Sequence, residues 1–142
     1  MRVYAVLDTN VLVSALLRGN SVPGAIAAES LIGRIIPLLH EEIVAEYRDV
    51  LHRPKFHFPP AAVDAFLNGL INRGIFVDST PLEEYLPDPD DAVFYEVVME
   101  ARKEDDAYLI TGNLKHFPAK SFIVMPKEML EILEEKSAAD SF

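Results

Sequence analysis

Residues that could bind a charged ligand follow two of the most apolar segments of the chain. Asp8 comes directly after "VYAVL" (residues 3–7), and Thr111 and Asn113 follow "AYLI" (residues 107–110). Short, continuous apolar runs of this kind are typical of buried parallel strands. Ligands of parallel sheets bind beyond the carboxyl ends of the strands, so we expect these three side chains to lie at one crevice.

Two further acids fall on predicted helices. Glu46 lies in an amphipathic helix of residues 41–53, just beyond the edge of its apolar stripe, and Asp91 stands at the start of a helix of residues 91–103. Taken alone, Glu46 fits a solvated helix face, and Asp91 fits an N-terminal cap or a first-turn acid. Asp90 is a still better candidate for a cap, although it could also add a charge to the crevice.

Taken together, these side chains indicate a metal site. Clustered carboxylates repel one another unless a cation neutralises them, and oxygen ligands without nitrogen or sulfur suit Mg²⁺ or Mn²⁺. The chain has no Cys, and its four His residues show no two-His spacing on a helix, which argues against zinc. The reaction that suits such a site is metal-assisted hydrolysis of a phosphodiester bond.

The elements that must position these side chains alternate between strands and helices. Strands are predicted at residues 3–7, 34–39, 74–77, 107–111 and 121–125. Helices are predicted between residues 9 and 19, at 22–33, 41–53, 60–72 and 91–103, and from Pro126 onward, with a Pro-rich acidic loop at 78–91. This alternation predicts an α/β fold with three layers, α/β/α, in which helices flank a central, mostly parallel sheet of about four or five strands.

The length of 142 residues fits a single domain. We expect that domain to cover residues 1–135 and a flexible tail to cover residues 136–142. No stretch approaches the roughly 20 apolar residues of a membrane span, and Asp8 and Asn10 interrupt the N-terminal apolar run, so we expect a cytoplasmic protein without a membrane partner. Taken alone, the net charge of −10 argues against nucleic-acid binding, because phosphate contacts need cations.

The segment "HRPKFHFPP" (residues 52–60) permits two interpretations. Arg53, Lys55 and two His residues are interleaved with Phe56 and Phe58, a composition that could contact phosphates and stack on bases. Alternatively, its prolines end one helix and begin the next while the phenylalanines fill the core. From the sequence alone we favour the core connector.

Five segments of the chain resemble the PIN-domain family. They are "VLDTNVLVSALL", "EEIVAEYRDVLHRPKF", "DPDDAVFYEV", "DAYLITGNLKHFP" and "FIVMPKEMLEIL", in the order and spacing of that family over roughly residues 3–133. Within the family they resemble the toxin branch, the VapC-like ribonucleases of toxin–antitoxin systems. The resemblance implies a metal-dependent endoribonuclease that cleaves single-stranded RNA and is restrained by a small antitoxin protein.

The same resemblance implies roles for individual residues. Asp8, Glu46 and Asp91 match the metal-binding acids of these ribonucleases, and Thr111 matches a hydroxyl residue close to them. Many PIN nucleases have a fourth acid where this chain has Asn113. An amide at that position removes one charge from the site but could still orient water or a metal-bound ligand.

The leading hypothesis is therefore a Mg²⁺- or Mn²⁺-dependent ribonuclease with RNA as substrate and an antitoxin as partner, and a homodimer is left open. The alternative is a catalytically weakened PIN-fold module that binds RNA or protein, which Asn113 would favour. A phosphatase or phosphate-handling switch with an aspartyl nucleophile is disfavoured, because "DTN" (residues 8–10) lacks a second Asp two residues after the first.

Overall fold

A computed structural model describes residues 2–84 and 86–140 of the chain. Five parallel strands form one sheet in the spatial order β3-β2-β1-β4-β5. The strands are β1 (Val3–Leu7), β2 (Ile35–Leu39), β3 (Ile75–Phe76), β4 (Tyr108–Ile110) and β5 (Ile123–Val124). The predicted α/β fold with a parallel sheet of about four or five strands is confirmed.

Six helices flank the sheet and pack against both of its faces. All five residues of β2 are buried, and because alternate residues of a strand point to opposite faces, both faces of this strand are covered. The helices are α1 (Thr9–Leu17), α2 (Val22–Ile32), α3 (Glu41–Leu51), α4 (Pro60–Arg73), α5 (Ala92–Ala101) and α6 (Pro126–Asp140). Burial from both sides explains why the strands are continuous apolar runs rather than alternating ones.

The register of the central strands places the candidate site at the end of the sheet where the strands have their carboxyl termini. Leu7 of β1 lies opposite Ile110 of β4, so Asp8 and Thr111 are the next residues of two neighbouring strands. The Asp8 N–H donates a hydrogen bond of 2.9 Å to the carbonyl of Ile110. The two side chains that were predicted to meet therefore leave adjacent strands at the same level.

Some elements differ in length from their predictions. The strands predicted at 74–77 and 121–125 form only two paired residues each, because both lie at the edges of the sheet and pair on one side only. A short 3-10 helix, Pro89–Asp91, precedes α5, so the predicted helix at 91–103 begins one residue later. The predicted loop at 78–91 includes residue 85, which lies outside the described residues.

Helix α6 continues through residues 136–140, where the sequence suggested a flexible tail. The helix packs through Met129 and Leu133, which are both buried. Beyond them, the Arg34 guanidinium donates a 3.1 Å hydrogen bond to the Ser137 hydroxyl. These contacts hold the last turns against the domain, whereas residues 141–142 of the predicted tail lie outside the described residues.

Among the described residues, no single helix is long and apolar enough to cross a membrane. Helices α1 and α2 reach that length and composition only as a pair, and the pair is bent by 105°.

Candidate active site

Asp8 is a buried carboxylate at the carboxyl end of β1, with 5% of its surface exposed. It precedes α1, yet its side chain makes no helix-capping hydrogen bond. Its Oδ2 instead accepts hydrogen bonds from the Thr111 hydroxyl at 2.7 Å and from the Asn10 amide at 3.1 Å. Burial raises the pKa of Asp8, and these hydrogen bonds oppose that rise only in part. Asp8 is therefore held in a geometry that helix capping does not explain.

The loop after β4 is joined to the start of α1 through Asn10. The Gly112 N–H donates a 3.0 Å hydrogen bond to Asn10 Oδ1, while the amide nitrogen of the same side chain binds Asp8. A Cβ atom at position 112 would lie 3.2 Å from Asn10 Oδ1, which is too close for that hydrogen bond to persist unchanged. Thr111 is fully buried behind this loop, so Asn10 and Thr111 together fix the Asp8 carboxylate.

Helix α3 brings Glu46 to the same edge of the sheet. The buried Tyr47 hydroxyl donates a 2.5 Å hydrogen bond to the carbonyl of Leu7, which ties α3 to the end of β1. The neighbouring Glu46 accepts a hydrogen bond on Oε2 from the Thr9 hydroxyl. Burial raises the pKa of Glu46, and the charges of Asp8 and Asp90 raise it further. Glu46 is thus half-buried at the same place as the other acids.

Asp91 reaches this edge from the 3-10 helix before α5. Its side chain makes no capping hydrogen bond to α5. Asp88 is the capping residue here, because its carboxylate accepts a 2.9 Å hydrogen bond from the Asp90 N–H. Asp90 itself is exposed and caps nothing with its side chain, so the predicted capping role falls two residues earlier.

The Asp91 carboxylate is the least satisfied polar group of the site. Oδ2 is buried and has no hydrogen-bond partner among the described residues, and the imidazole Nδ1 of His116 lies 3.6 Å from it. Burial raises the pKa of Asp91 to about 6, with further increases from the charges of Asp8, Asp88 and Glu46. A buried oxygen without a donor calls for an explanation, and a bound water or a cation would each supply the missing contact.

Asn113 begins a short 3-10 helix, Leu114–His116. Its Oδ1 accepts a 3.2 Å hydrogen bond from the Lys115 N–H, which orients the amide so that Nδ2 faces His116 Nε2 at 3.0 Å. The amide donates, so Nε2 accepts and the ring proton resides on Nδ1, which faces Asp91. Asn113 therefore acts on the acids through His116 and not through its own oxygen.

Sequence reasoning missed His116, which was considered only as a zinc ligand. The signal that could have found it is its spacing of three residues from Asn113, which in one helical turn brings two side chains together. The structure brings Asp8, Glu46, Asp91 and Thr111 to one place. Asn113 stands at the side of that place, where its N–H donates a 3.1 Å hydrogen bond to the Thr111 hydroxyl and its side chain contacts His116.

An open cleft of about 400 Å³ gives access to the acids. Its walls include Thr9 and Asn10 from α1, Glu46 from α3 and Asp91. The exposed Asp90 also lines it, while Asp8 and Thr111 lie behind this wall. The cleft is therefore a strongly acidic surface at the carboxyl edge of the sheet.

The acids fit a hard divalent cation by their chemistry and their charge. The donors are carboxylate oxygens, and the pKa values of Asp8, Glu46 and Asp91 are all raised. Asp91 Oδ2 also lacks a hydrogen-bond partner among the described residues. Within residues 2–84 and 86–140, no group of three or more His, Cys, Asp or Glu side chains is assembled closely enough to hold a metal ion. Mg²⁺ in proteins is commonly bound by one or two carboxylates with water as the remaining ligands, which suits this partial set.

Comparison with known families decides the relationship. The sequence matches the PIN domain family over residues 4–115. This chain is a PIN domain. The match covers every candidate site residue, from Asp8 to Asn113, and ends at Lys115. No curated protein and no solved structure matches the chain.

Membership in the PIN domain family agrees with the parallel five-stranded sheet and its flanking helices. PIN domains are typically nucleases, and they generally use divalent metals. The family match thus supports a nuclease-like fold with its acids at the carboxyl edge of the sheet, where Asp8, Glu46 and Asp91 lie.

Proposed function

We propose that this PIN domain is a Mg²⁺- or Mn²⁺-dependent endoribonuclease that cleaves single-stranded RNA. The observation that carries the proposal is the buried Asp91 Oδ2, which has no hydrogen-bond partner among the described residues and shares its cleft with Glu46. Mutual repulsion among Asp8, Glu46 and Asp91 is unfavourable for the fold, and a bound cation would relieve it.

The side chains of the site have separate tasks in this proposal. Asp8 and Asp91 would hold the metal, and Glu46 would hold the metal or a water bound to it; the bound metal would supply an activated water and stabilise charge on the phosphate. Thr111 orients the Asp8 carboxylate through its 2.7 Å hydrogen bond, and Thr9 orients Glu46. Asn113 holds His116 so that its Nδ1 faces Asp91.

We also propose that the protein is the toxin of a toxin–antitoxin pair. The five segments that resemble the toxin branch support this, and the antitoxin partner comes from that resemblance alone. Induced expression should stop cell growth, and the product of a short neighbouring reading frame should restore it. Unimpaired growth on expression of a protein that cleaves RNA in vitro would exclude the toxin role while leaving the nuclease intact.

A second candidate function is a PIN-fold module that binds RNA or protein without cleaving it. The observation that favours it is Asn113, whose amide is engaged by Lys115 and His116 and supplies no charge to the site. Cleavage assays separate the two functions, because a binding module retains RNA without shortening it.

The decisive experiment is cleavage of an unstructured RNA in Mg²⁺ or Mn²⁺ with purified wild type and variants. We expect slow cleavage that EDTA stops, and its loss in Asp8→Asn, Asp91→Asn and Glu46→Gln. Glu41→Gln is the matched control, since Glu41 is an exposed acid on the same helix as Glu46. Wild-type rates in a clean preparation of Asp8→Asn would refute the proposed mechanism.

A further inference from the structure

The connector between α3 and α4 has an unusual backbone that brings two aromatic rings together. A 3-10 helix, Pro54–Phe56, is followed by His57 with φ of 56°. A positive φ is uncommon outside glycine and marks a position held by its surroundings. With His57 in this conformation, the rings of Phe56 and Phe58 stack with centroids 5.5 Å apart and planes at 11°.

The two stacked rings have different environments. Phe58 packs against the hydrophobic core. Phe56 lies outside that packing, is half-buried, and lines the acidic cleft together with Glu46 and Asp91. The core-connector interpretation therefore describes Phe58, while Phe56 is presented to the cleft on top of an anchored ring.

Lys55 lies near the Phe56 ring, and Arg53 lines the same cleft as Phe56. Lys55 Nζ lies 5.1 Å from the ring centroid. Arg53 lines the cleft and is paired with the exposed Asp49 at 2.9 Å. Among the described residues that line this cleft, Arg53 is the only Lys or Arg. Arg53 and Lys55 are thus basic side chains beside an otherwise acidic cleft.

We propose that Phe56, Arg53 and Lys55 form a subsite for an unpaired base and the adjoining phosphate of single-stranded RNA. The inference rests on the proposed ribonuclease function and adds how the substrate is positioned in the cleft. A base can stack on an aromatic face whatever its identity. Stacking involves a neutral group, so the negative charge of the cleft does not oppose it, while Arg53 and Lys55 attract the phosphate.

The subsite selects unpaired RNA for a geometrical reason. Bases within a duplex are stacked on each other and cannot reach an aromatic side chain at the protein surface, whereas bases of a single strand can turn outward. Discrimination between bases is expected to be weak because the contact is with the ring face and not with the base edges.

The chain has no Trp, so Phe56→Trp creates a single fluorescent reporter at the subsite. Short unstructured RNA is titrated into the protein in a buffer that contains Ca²⁺ in place of Mg²⁺ or Mn²⁺. Gels verify that the RNA is not cleaved during the titration. We expect the Trp fluorescence of this variant to be quenched on binding. The matched control is Phe76→Trp, since Phe76 is an exposed phenylalanine on β3 that lines a different cleft, and its signal should not change.

Two conservative variants test the energetic contribution. Phe56→Leu retains an apolar side chain without an aromatic face, and we expect Kd for RNA and the KM of cleavage to rise about tenfold with kcat unchanged. Phe56→Tyr should restore both values. Lys55→Ala should reduce the magnitude of the slope of log K for RNA binding against log salt concentration by about one.

The outcomes separate this inference from the function on which it rests. If wild type cleaves RNA while Phe56→Leu binds and cleaves like wild type and Trp at position 56 is not quenched, the subsite is wrong and the nuclease stands. If wild type neither binds nor cleaves any RNA, the proposed function fails and the subsite with it.

Discussion

The Asp91 carboxylate lies in surroundings that disfavour its charged form. Asp91 is half-buried near Asp8 and Glu46, and its buried Oδ2 has no hydrogen-bond partner among the described residues. Its neighbour Asp88 performs the local capping task, so local structure does not require a buried acid at position 91. Such an arrangement reduces stability unless a ligand compensates, which is typical of a site kept for chemistry.

The pH dependence of stability should reveal this placement. The pKa of Asp91 is raised from 3.8 to about 6 in the folded protein, so the folded state binds more protons than the unfolded state between these values. Stability from this group is therefore present at low pH and lost as pH rises through the folded pKa. In EDTA, the melting temperature of Asp91→Asn minus that of wild type should grow by a few degrees between pH 4 and pH 7.

The comparison uses the difference between two proteins, so the titration of groups that do not interact with Asp91 cancels. Glu131→Gln, a change at an exposed acid on α6, should show no such growth between the same pH values. A difference that stays constant with pH would mean that Asp91 titrates normally, and the idea of an uncompensated carboxylate would have to be abandoned.

At the scale of elements, the short 3-10 helix after β4 determines how position 113 acts. Asn113 caps this helix through Oδ1 and holds His116 through Nδ2. An acid at this position would keep the capping contact, because its carboxylate can still accept from Lys115. It would lose the donor to His116 and add a negative charge near Asp91.

Asn113→Asp is therefore expected to tighten Mn²⁺ binding several-fold, since added negative charge favours a cation. Isothermal titration calorimetry measures the affinity directly. Asn68→Asp adds the same charge to an exposed position of α4 and should leave the affinity unchanged. Equal or weaker Mn²⁺ binding by Asn113→Asp would show that residue 113 acts only through His116.

The elements that sequence could predict are those with a strong periodic signal. Asp8 and Thr111 were placed correctly because continuous apolar strands imply a parallel sheet, whose carboxyl ends share an edge. Helical geometry placed Glu46 at the edge of the apolar stripe, where it fitted a solvated face, and only its combination with the other acids indicated the site. His116 and the exposed face of Phe56 could not be predicted, because 3-10 helices and a left-handed residue such as His57 leave no periodic pattern.

At the scale of the whole molecule, charge is the dominant feature. The net charge of −10 produces general self-repulsion, and the buried Asp8 with the half-buried Glu46 and Asp91 adds a local component. Screening by salt weakens repulsion between exposed charges but acts much less on buried ones. Any salt should therefore stabilise the protein somewhat, whereas only a bound cation can relieve the repulsion inside the cleft.

Melting curves in NaCl and MgCl₂ at equal ionic strength separate these two components. At Mg²⁺ concentrations far above Kd, binding should add about 2–3 kcal/mol to the free energy of unfolding, roughly 5–10 °C for a domain of this size. Asp8→Asn should melt at or above the wild-type temperature in EDTA, because it neutralises one of the repelling acids while its side-chain oxygen can still accept from Thr111. In this variant MgCl₂ should raise the melting temperature no more than NaCl does at the same ionic strength.

The opposite result would assign Asp8 to the fold. If wild type melts at the same temperature in both salts and Asp8→Asn melts several degrees lower, the hydrogen bonds from Thr111 and Asn10 are the reason that an acid occupies position 8. Buried acceptors of this kind are costly to remove, so both effects have a physical basis and opposite signs. The sign of the change in EDTA therefore decides whether the carboxylate at the end of β1 serves a cation or the structure.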